Sequence, residues 1–482
     1  MKKCLFITGV IIILLFTACN TSEPEEHYLH PITLLGVIDT ANARRHTIAP
    51  ADYYRLLQFT EGREAVPLDV LARTFRPSSS SPEYLSVTML RRDIYDFFYA
   101  LRAYSMYLYF GGNNVFLPIR DKILQELDMQ EYWYIHEFID LVQHYLSPAI
   151  VDEHFYFGSS TLPSVFTTDY QFFTYSGRFR LTENGIVNKV TALYVQKISL
   201  PCRPYLDFDL HNSFRLSICE NGEEFYYALV LHIRMEQYSF VPENVRISYI
   251  DNNGTISVED VPLQMVTTQL RPWDAMPTLE WMQGIPIISL TGWGFRGSVG
   301  AVQFIEYAEE LQCEPVIIVD LRSNMGGEGW TISEWFYRIL GTAVVPMHDM
   351  LTPANSDVYQ IISRRGNYEV VSNIQLIIVL VDRFSMSASE VFISYALAVE
   401  NTLIVGQNTG GVLISHGGTT GSLWYSGVSF NANRGGTIFP YGIFTEAIGF
   451  APDIWVTGDA LVATLGMLEH HFESWYISRE LP

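Results

Sequence analysis

The sequence predicts an α/β protein, and three patterns along the chain support that prediction. Residues 283–482 alternate apolar strand-like runs with helical runs, which is typical of βαβ units around a buried parallel sheet. Residues 82–154 repeat apolar and aromatic side chains at helical spacing, and residues 155–282 consist of alternating, β-branched and aromatic runs. We therefore expect a helical segment, a β-rich module and an α/β domain, in that order.

The composition is that of a folded chain with an acidic surface. A length of 482 residues corresponds to roughly three domains of about 150 residues each. Apolar residues make up 48% of the chain and charged residues 17%, which excludes a disordered or fibrous protein. The formal net charge of -22 repels phosphate backbones, so we expect no nucleic acid partner.

The N-terminus has the pattern of a secretion signal. Lys2 and Lys3 precede an apolar run over 4–16, which is shorter than the roughly 20 residues of a membrane-spanning helix. The run ends in Phe-Thr-Ala-Cys at 16–19, which resembles the bacterial lipoprotein box, and the resemblance implies lipidation of Cys19. An ordinary signal peptide with an incidental Cys19 is the alternative. We expect residues 1–18 to be a signal peptide and 19–81 a lipidated tether and lead-in, which anchors the chain to a membrane of the bacterial cell envelope, on its periplasmic or cell-surface side.

Three further cysteines lie in the mature chain. Cys202 and Cys219 are close enough in sequence for a disulfide in an oxidising compartment, and that bridge would contribute about 3 kcal/mol. The alternative is that these two residues and Cys313 are buried small hydrophobic residues. None of the five cysteines has the spacing of a structural zinc site.

A linker motif precedes the helical segment, and turn motifs divide the β-rich module into strands. Ser-Ser-Ser-Ser-Pro at 78–82 is typical of a linker and places a boundary near residue 82. Three Asn-Gly pairs, at 184–185, 221–222 and 253–254, predict tight turns between strands of the β-rich module. By analogy alone, we describe this module as a possible degenerate PDZ-like module.

The pattern of residues 283–482 predicts alternating strands and helices. We expect strands over 285–288, 315–321 and 376–381, and helices over 299–311, from 331 onward and over 388–399. The strand runs are continuously apolar, which indicates burial on both faces of a parallel sheet.

Two turns of this unit carry unusual residues. Asp-Leu-Arg-Ser-Asn-Met-Gly-Gly at 320–327 follows an apolar strand, and its two glycines, Gly326 and Gly327, let the backbone approach a ligand and present N–H groups. The alternative is a tight βα turn. The second turn contains Ser387 and Glu390, which fit a helix capping box, but a strand-to-helix turn is also where nucleophilic serines occur.

Four motifs in a fixed order make the sequence recognisable. They are Asp-Leu-Arg-x-Asn-x-Gly-Gly at 320–327, Ser-x-Ser-Ala-Ser-Glu at 385–390, Val-Gly-Gln-Asn-Thr-Gly-Gly at 405–411 and Gly-Phe-Ala-Pro-Asp-Ile at 449–454. Their order resembles that of the S41 serine peptidases, which include the tail-specific and the tricorn-type proteases. The resemblance implies a crotonase-like or ClpP-like core, with Ser387 as nucleophile and the Ala388 amide plus Gly326 and Gly327 as oxyanion hole.

The general base of this family is a lysine in one branch and a histidine in another. The position of the lysine is occupied by Val412, and no lysine follows Lys197, so a Ser-Lys dyad in this core is excluded. The resemblance to the tricorn-type branch instead implies His154, in Asp-Glu-His at 152–154, as the base and Glu446 as its acidic partner. His416 in a Gly-rich loop is the rival base.

Two functions from different classes are compatible with these residues. The first is a serine endopeptidase that cleaves polypeptides through an acyl-enzyme. The second is a catalytically inactive surface lipoprotein that binds peptides or proteins. We expect no cofactor and no metal, because His136, Glu137 and His144 do not have the His-Glu-x-x-His spacing of a zinc protease.

Overall fold

A computed structural model describes most of the chain. The described residues are 32–49, 82–107, 109–152, 154–158, 170–201, 203–234, 241–355, 358–362, 369–416, 420–431, 433 and 435–480. They form an α/β molecule in which one long mixed sheet runs through both the β-rich module and the α/β domain.

The helical segment packs its helices around an aromatic core. Its elements, after helix α1 (Leu34–His46), are β1 (Tyr84–Ser86), α2 (Val87–Ala100), a 3-10 turn (Leu101–Ala103), α3 (Asn113–Leu127), β2 (Tyr132–Tyr134), α4 (Ile135–Leu146) and β3 (Tyr156–Phe157). The ring of Phe97 in α2 contacts the rings of Phe157 and Phe430, with centroids 4.8 and 5.2 Å apart. Because Phe430 belongs to the α/β domain, the two units share one core.

The β-rich module consists of antiparallel hairpins. Its elements are β4 (Tyr170–Thr182), β5 (Gly185–Asn188), β6 (Tyr194–Leu200), β7 (Arg203–Asp207), α5 (Leu210–Ser213), β8 (Phe214–Ile218), β9 (Phe225–Arg234), β10 (Asn244–Ile250), β11 (Ile256–Pro262) and β12 (Gln264–Met265). The three predicted Asn-Gly turns close hairpins β4–β5, β8–β9 and β10–β11, and their glycines have φ angles of +127°, +73° and +82°. These positive φ angles are the reason that glycine stands at the turns.

The α/β domain alternates strands and helices as its apolar pattern predicts. Its elements are β13 (Thr278–Met282), β14 (Ile285–Ser289), α6 (Val299–Glu310), β15 (Val316–Asp320), α7 (Trp330–Leu340), β16 (Asp349–Asn355), β17 (Val358–Ile362), β18 (Leu376–Val381), α8 (Ala388–Ala396), β19 (Thr402–Gly406), β20 (Ser415–His416), β21 (Thr420–Ser422), β22 (Ser429–Asn431), β23 (Gly435–Ile438), β24 (Ile454–Trp455) and α9 (Ala460–Glu480). Strands β14, β15, β18, β19 and β24 pair in parallel, and β13 closes that edge in the antiparallel direction.

The central strands bury alternate residues on opposite faces of the sheet. Ile317 and Val379 pack with α6, α7 and α8, whereas Ile318 and Ile378 pack with α1 and α9. Helices therefore cover both faces, which is why these strands are continuously apolar in sequence. Helix α8 and helix α1 consequently lie on opposite sides of the sheet.

Strands β8 and β24 join the β-rich module to the sheet of this domain. Strand β8 pairs in parallel with β24 at Ser217 and Trp455, and the hydroxyl of Ser217 donates a hydrogen bond of 2.6 Å to the carbonyl oxygen of Trp455. The indole of Trp455 is wholly buried against Phe172 of β4, with ring centroids 5.9 Å apart. The module is thus built into the same sheet as the α/β domain.

Two short sheets complete the described part of the α/β domain. Strands β17, β16, β23 and β20 form one sheet, and β21, β22 and β3 form another. The second sheet connects the end of the helical segment, at β3, to the α/β domain. Residues between β3 and α4 are thereby brought next to β20 and β22.

The predicted fold class is confirmed: the molecule is α/β, with a helical segment before a β-rich module. The domain boundaries and the PDZ-like analogy stay predictions. Cys219 and Cys313 are free thiols, while Cys19 and Cys202 lie outside the described residues. Among the helices of the described ranges, none is both long and apolar enough to cross a membrane.

Candidate active site

Ser387 occupies the turn between β18 and α8, and its backbone has a conformation that residues other than glycine rarely adopt. Its φ is +51° and its ψ is -112°, a region that is sparsely populated for residues other than glycine. Gly326 packs directly against it, because a Cβ on Gly326 would lie 2.7 Å from the Cβ of Ser387. In α/β-hydrolases, a strained strand-to-helix turn presents the nucleophilic serine.

The other two serines of this turn have structural roles. The hydroxyl of Ser385 donates to the carbonyl of Leu321 at 2.8 Å, and the hydroxyl of Ser389 donates to the carbonyl of Asn324 at 2.9 Å. Both serines are fully buried. Ser387 is half-buried, so its side chain is the only one of these three serines that is partly accessible to solvent.

The predicted oxyanion donors flank Ser387. The N–H of Gly326 donates to Oδ1 of Asn324 at 3.0 Å, so that amide is already engaged. Gly327 has a φ of +131°, and a Cβ there would lie 2.3 Å from the carbonyl oxygen of Trp293. Ala388 begins α8, where an N–H has no partner within the helix. Gly326 therefore supplies space, and we regard Gly327 and Ala388 as the candidate donors.

His154 lies in the loop after α4, and hydrogen bonds fix its main chain. Its N–H donates to Oδ1 of Asp152 at 2.9 Å, and its carbonyl accepts from Nδ2 of Asn431 at 2.8 Å and of Asn433 at 3.3 Å. Its Nδ1 is buried and has no hydrogen-bond partner among the described residues. Burial lowers the pKa of His154 and the charge of Asp152 opposes that change, so the neutral imidazole is favoured at neutral pH.

Glu446 is buried beside Asp152. Its Oε2 accepts the N–H groups of Leu413 and Ile414 at 3.0 and 3.1 Å. Burial first, and then the charge of Asp152, hold the pKa of Glu446 well above its ordinary value. Asp152 in turn accepts a hydrogen bond from the hydroxyl of the fully buried Tyr104. Two carboxyl groups thus share one buried, polar environment next to His154.

A short loop connects the nucleophile to this acidic cluster. The N–H groups of Gly411 and Val412 donate to Glu390 at 2.7 and 2.8 Å, while the next two amides of the chain donate to Glu446. Glu390 also accepts the N–H of Ser387 at 3.0 Å. Four consecutive amides therefore link the two glutamates, and Val412, at the position where a lysine base occurs in relatives, is part of this link.

His416 lies in the same cluster. A Cβ on Gly435 would lie 2.2 Å from Cε1 of His416, so glycine is needed there. Burial first, and then the nearby His154, lower the pKa of His416, whose Nε2 has no hydrogen-bond partner among the described residues. No hydrogen bond joins the hydroxyl of Ser387 to either imidazole within the described part of the chain. The identity of the base stays a prediction.

The predicted site residues therefore form two linked groups. Ser387, Gly326, Gly327 and Ala388 surround one turn, and His154, Glu446 and His416 surround Asp152, with the 409–414 loop between the groups. Cys19 lies outside the described residues.

Tyr104, Asn431 and Asn433 also contact Asp152 or His154, and no local sequence pattern marks them. Glu390, which fits a helix capping box in the sequence, also accepts the N–H groups of the 411–412 loop. The described residues contain no group of three His, Cys, Asp or Glu side chains that could hold a metal ion.

Comparison with known proteins agrees with the motifs. Residues 285–456 match the profile of Peptidase family S41, which confirms the resemblance drawn from the sequence over that segment. A search of the curated proteins found no match to this chain.

Three solved structures illustrate the structural likeness. The photosystem II D1 C-terminal processing protease is 16% identical, with 76% of this chain and 92% of that chain covered and a TM-score of 0.35. Mature CPAF complexed with lactacystin is 11% identical, with 82% and 99% covered and a TM-score of 0.40. The tricorn protease is 13% identical, with 78% of this chain and 37% of that chain covered and a TM-score of 0.28.

Proposed function

We propose that this chain, whose residues 285–456 are an S41 peptidase core, is a serine endopeptidase that cleaves polypeptides through an acyl-enzyme on Ser387. The observation that carries the proposal is the turn of Ser387. Among three neighbouring serines it alone is half-buried, and it has a positive φ and lies against Gly326. A purely structural helix cap requires none of these features.

The chemistry follows from the two groups of residues. The hydroxyl oxygen of Ser387 attacks the carbonyl carbon of a peptide bond, and its proton passes to a neutral imidazole. The resulting oxyanion accepts hydrogen bonds from the N–H groups of Gly327 and Ala388. When the C–N bond breaks, the imidazolium returns that proton to the leaving amine. Water then hydrolyses the ester by the same steps, with the imidazole again acting as base.

We assign the base to His154 and keep His416 as the second candidate. His154 has both main-chain polar groups fixed by hydrogen bonds, and its buried Nδ1 lacks a partner among the described residues. Glu446 supplies a carboxyl group in the same pocket that can hold the imidazole or a bridging water. A lysine base from within residues 283–482 is excluded, because no lysine follows Lys197.

Labelling by a serine-directed fluorophosphonate tests the nucleophile. We expect labelling of the wild-type chain at Ser387, no labelling of Ser387→Ala, and normal labelling of Ser385→Ala if that variant folds. Because burial lowers the pKa of His154, labelling should rise with pH and level off at a lower pH than an exposed imidazole would give. Absence of labelling at every pH would support the inactive peptide-binding alternative, and labelling that still rises at pH 9 would contradict a histidine base.

The two histidines are separated by single replacement. We expect His154→Ala to lower peptide cleavage almost as far as Ser387→Ala, and the double variant to be no worse than either, because groups that act as a unit are not additive. His416→Ala should keep most of the activity. A reversed order in variants with wild-type circular dichroism would assign the base to His416.

We also propose that the chain is lipid-anchored through Cys19 in the bacterial cell envelope. The support is the apolar run that ends in Phe-Thr-Ala-Cys at 16–19. Acyl chains contribute about 0.8 kcal/mol per buried CH₂ group, so the lipid would dominate membrane binding. The wild-type protein should enter the detergent-rich phase on Triton X-114 separation, and Cys19→Ala should remain in water. Equal partitioning of both would remove the lipoprotein assignment.

A further inference from the structure

The carboxylate of Asp152 is divided between two partners in the interior of the molecule. Oδ1 accepts the main-chain N–H of His154 at 2.9 Å, and Oδ2 accepts the hydroxyl of Tyr104. Asp152 is 5% exposed and Tyr104 is fully buried. An aspartate that bonds the N–H two residues later forms a local turn, and the buried tyrosine attaches that turn to the helical segment.

The opposite side of His154 is held by the α/β domain. Its carbonyl accepts from Nδ2 of Asn431 and of Asn433, and Nδ2 of Asn433 also donates to the hydroxyl of Ser415 at 2.6 Å. Ser415 directly precedes His416 in β20. The main chain of His154 is therefore fixed on both sides, whereas its imidazole is left without a partner on Nδ1 among the described residues.

We propose that Asp152 is a positioning residue for His154. It fixes the main chain of the base through Oδ1 and is itself held by Tyr104 through Oδ2, although it does not touch the substrate. This inference rests on the proposed function, since it takes His154 as the base. Its geometric part, that Asp152 holds His154 in place, is independent of catalysis.

Three other titratable groups surround Asp152: His416 on β20, Glu446 on its loop and the phenol of Tyr104 from the helical segment. Of these, His416 also faces His154. Burial lowers the pKa of His154 and Asp152 raises it. Asp152 also raises the pKa of Glu446. Removal of this charge therefore lowers the pKa of both neighbours, so the acidic limb of the pH profile moves to lower pH whichever of them titrates there.

Two replacements separate the hydrogen bond from the charge. Asp152→Ala removes both, so we expect kcat to fall by about 10²-fold with KM little changed, as a displaced catalytic group predicts. Asp152→Asn keeps an acceptor for the His154 N–H. It should retain at least a tenth of wild-type kcat, with the acidic limb of kcat at lower pH than in the wild type. The control is Asp93→Asn, since the buried Asp93 accepts the N–H groups of Tyr425 and Ser426 outside the site; its pH profile should be that of the wild type.

Hydrogen exchange gives a readout that does not need activity. We expect a peptide covering residues 150–157 to exchange faster in Asp152→Ala and at the wild-type rate in Asp152→Asn. Unchanged exchange or unchanged kcat in Asp152→Ala, or an unmoved acidic limb in Asp152→Asn, would overturn the inference. If the wild-type chain cleaves no peptide, the proposed function fails, and the exchange comparison alone decides whether Asp152 holds His154.

Discussion

At the scale of single residues, the backbone of Ser387 stores strain where the chemistry is proposed. A non-glycine residue at a φ of +51° and a ψ of -112° lies about 1–3 kcal/mol above a relaxed conformation. The close approach of Gly326 and the N–H of Ser387 donated to Glu390 hold the turn in this state. The surrounding contacts thus orient the hydroxyl at the expense of local stability.

Glycine and alanine at position 387 should differ in stability for this reason. Glycine adopts positive φ without strain. The free energy of unfolding, measured in urea, should therefore be about 1 kcal/mol higher for Ser387→Gly than for Ser387→Ala. Ser147, with a φ of -58° at the end of α4, is the matched control. There the alanine variant should be the more stable of the two. If the alanine variant is the more stable of the two at position 387 as well, position 387 is unstrained in solution.

The carboxyl group of Glu390 should make stability depend on pH. Burial raises its pKa to about 7, although Thr409 and the amides of Ser387, Gly411 and Val412 donate to it and oppose that rise. A folded-state pKa above the ordinary 4.5 means that the native state binds the proton more tightly. The stability that this group contributes is therefore complete below about pH 4.5 and is lost as the pH rises through about 7.

Glu390→Gln, which cannot ionise, isolates this effect. Between pH 5 and 7.5 the unfolding free energy of the wild type should fall relative to that of the variant, by an amount on the order of 3 kcal/mol. Urea unfolding at several pH values measures the difference. Two curves that remain parallel over this range would show that Glu390 is ionised in the folded protein throughout.

At the scale of elements, helix α1 is attached to the sheet by a buried arginine. The guanidinium of Arg45 donates to the carbonyls of Val399 and Thr402 and to Oδ2 of Asp453. Its neighbour Arg44 also bonds Asp453, but the side chain of Arg44 is 56% exposed. Burial lowers the pKa of Arg45, and the carboxylate of Asp453 opposes that change. One carboxylate thus pairs with a buried and an exposed arginine.

Replacement of Arg45 or Arg44 by alanine should lower the free energy of unfolding by different amounts. Arg45→Ala leaves buried carbonyls and Asp453 with fewer partners, so we expect a loss of about 3 kcal/mol or more in unfolding free energy. Arg44→Ala removes a solvent-screened pair and should cost less than about 1 kcal/mol. Chemical denaturation of both variants provides the comparison, and equal small losses would show that α1 does not depend on Arg45.

At the scale of the whole molecule, the β-rich module and the α/β domain share one sheet through the seam at β8 and β24. Trp455 is the largest side chain of that seam: its ring packs on Phe172, and its Nε1 donates to Oδ1 of Asn408 at 3.1 Å. The seam pairs Ser217 with Trp455 in register, so packing around the indole contributes to the coupling between the two units.

Thermal unfolding should report this coupling. We expect one calorimetric transition for the wild type and two for Trp455→Ala, since the loss of a buried tryptophan costs about 3–5 kcal/mol at the seam. Trp455→Phe, which keeps an aromatic ring there, should retain a single transition. Two transitions in the wild type would show that the module unfolds independently of the α/β domain.

Local patterns predicted the parts of the molecule whose contacts are local. The strands and helices around Ser387 follow from apolar runs and glycines that lie next to it in sequence. The seam joins Ser217 to a residue 238 positions later, and the contact from Asn433 to the carbonyl of His154 spans 279 positions. Tyr104 and Asp152 are 48 positions apart. Such pairings depend on the packing of whole units, and for that reason the surroundings of His154 required the structure.

Helix α1 packs on one face of the central sheet, and Ser387 begins the helix on the other face. About 15 residues separate Cys19 from the start of α1, and a fully extended chain of that length reaches roughly 50 Å. If Cys19 carries the proposed lipid, helix α1 begins within that distance of the bilayer, on the face of the sheet away from Ser387. The proposed peptidase would then meet its polypeptide substrates in the aqueous layer close to the membrane.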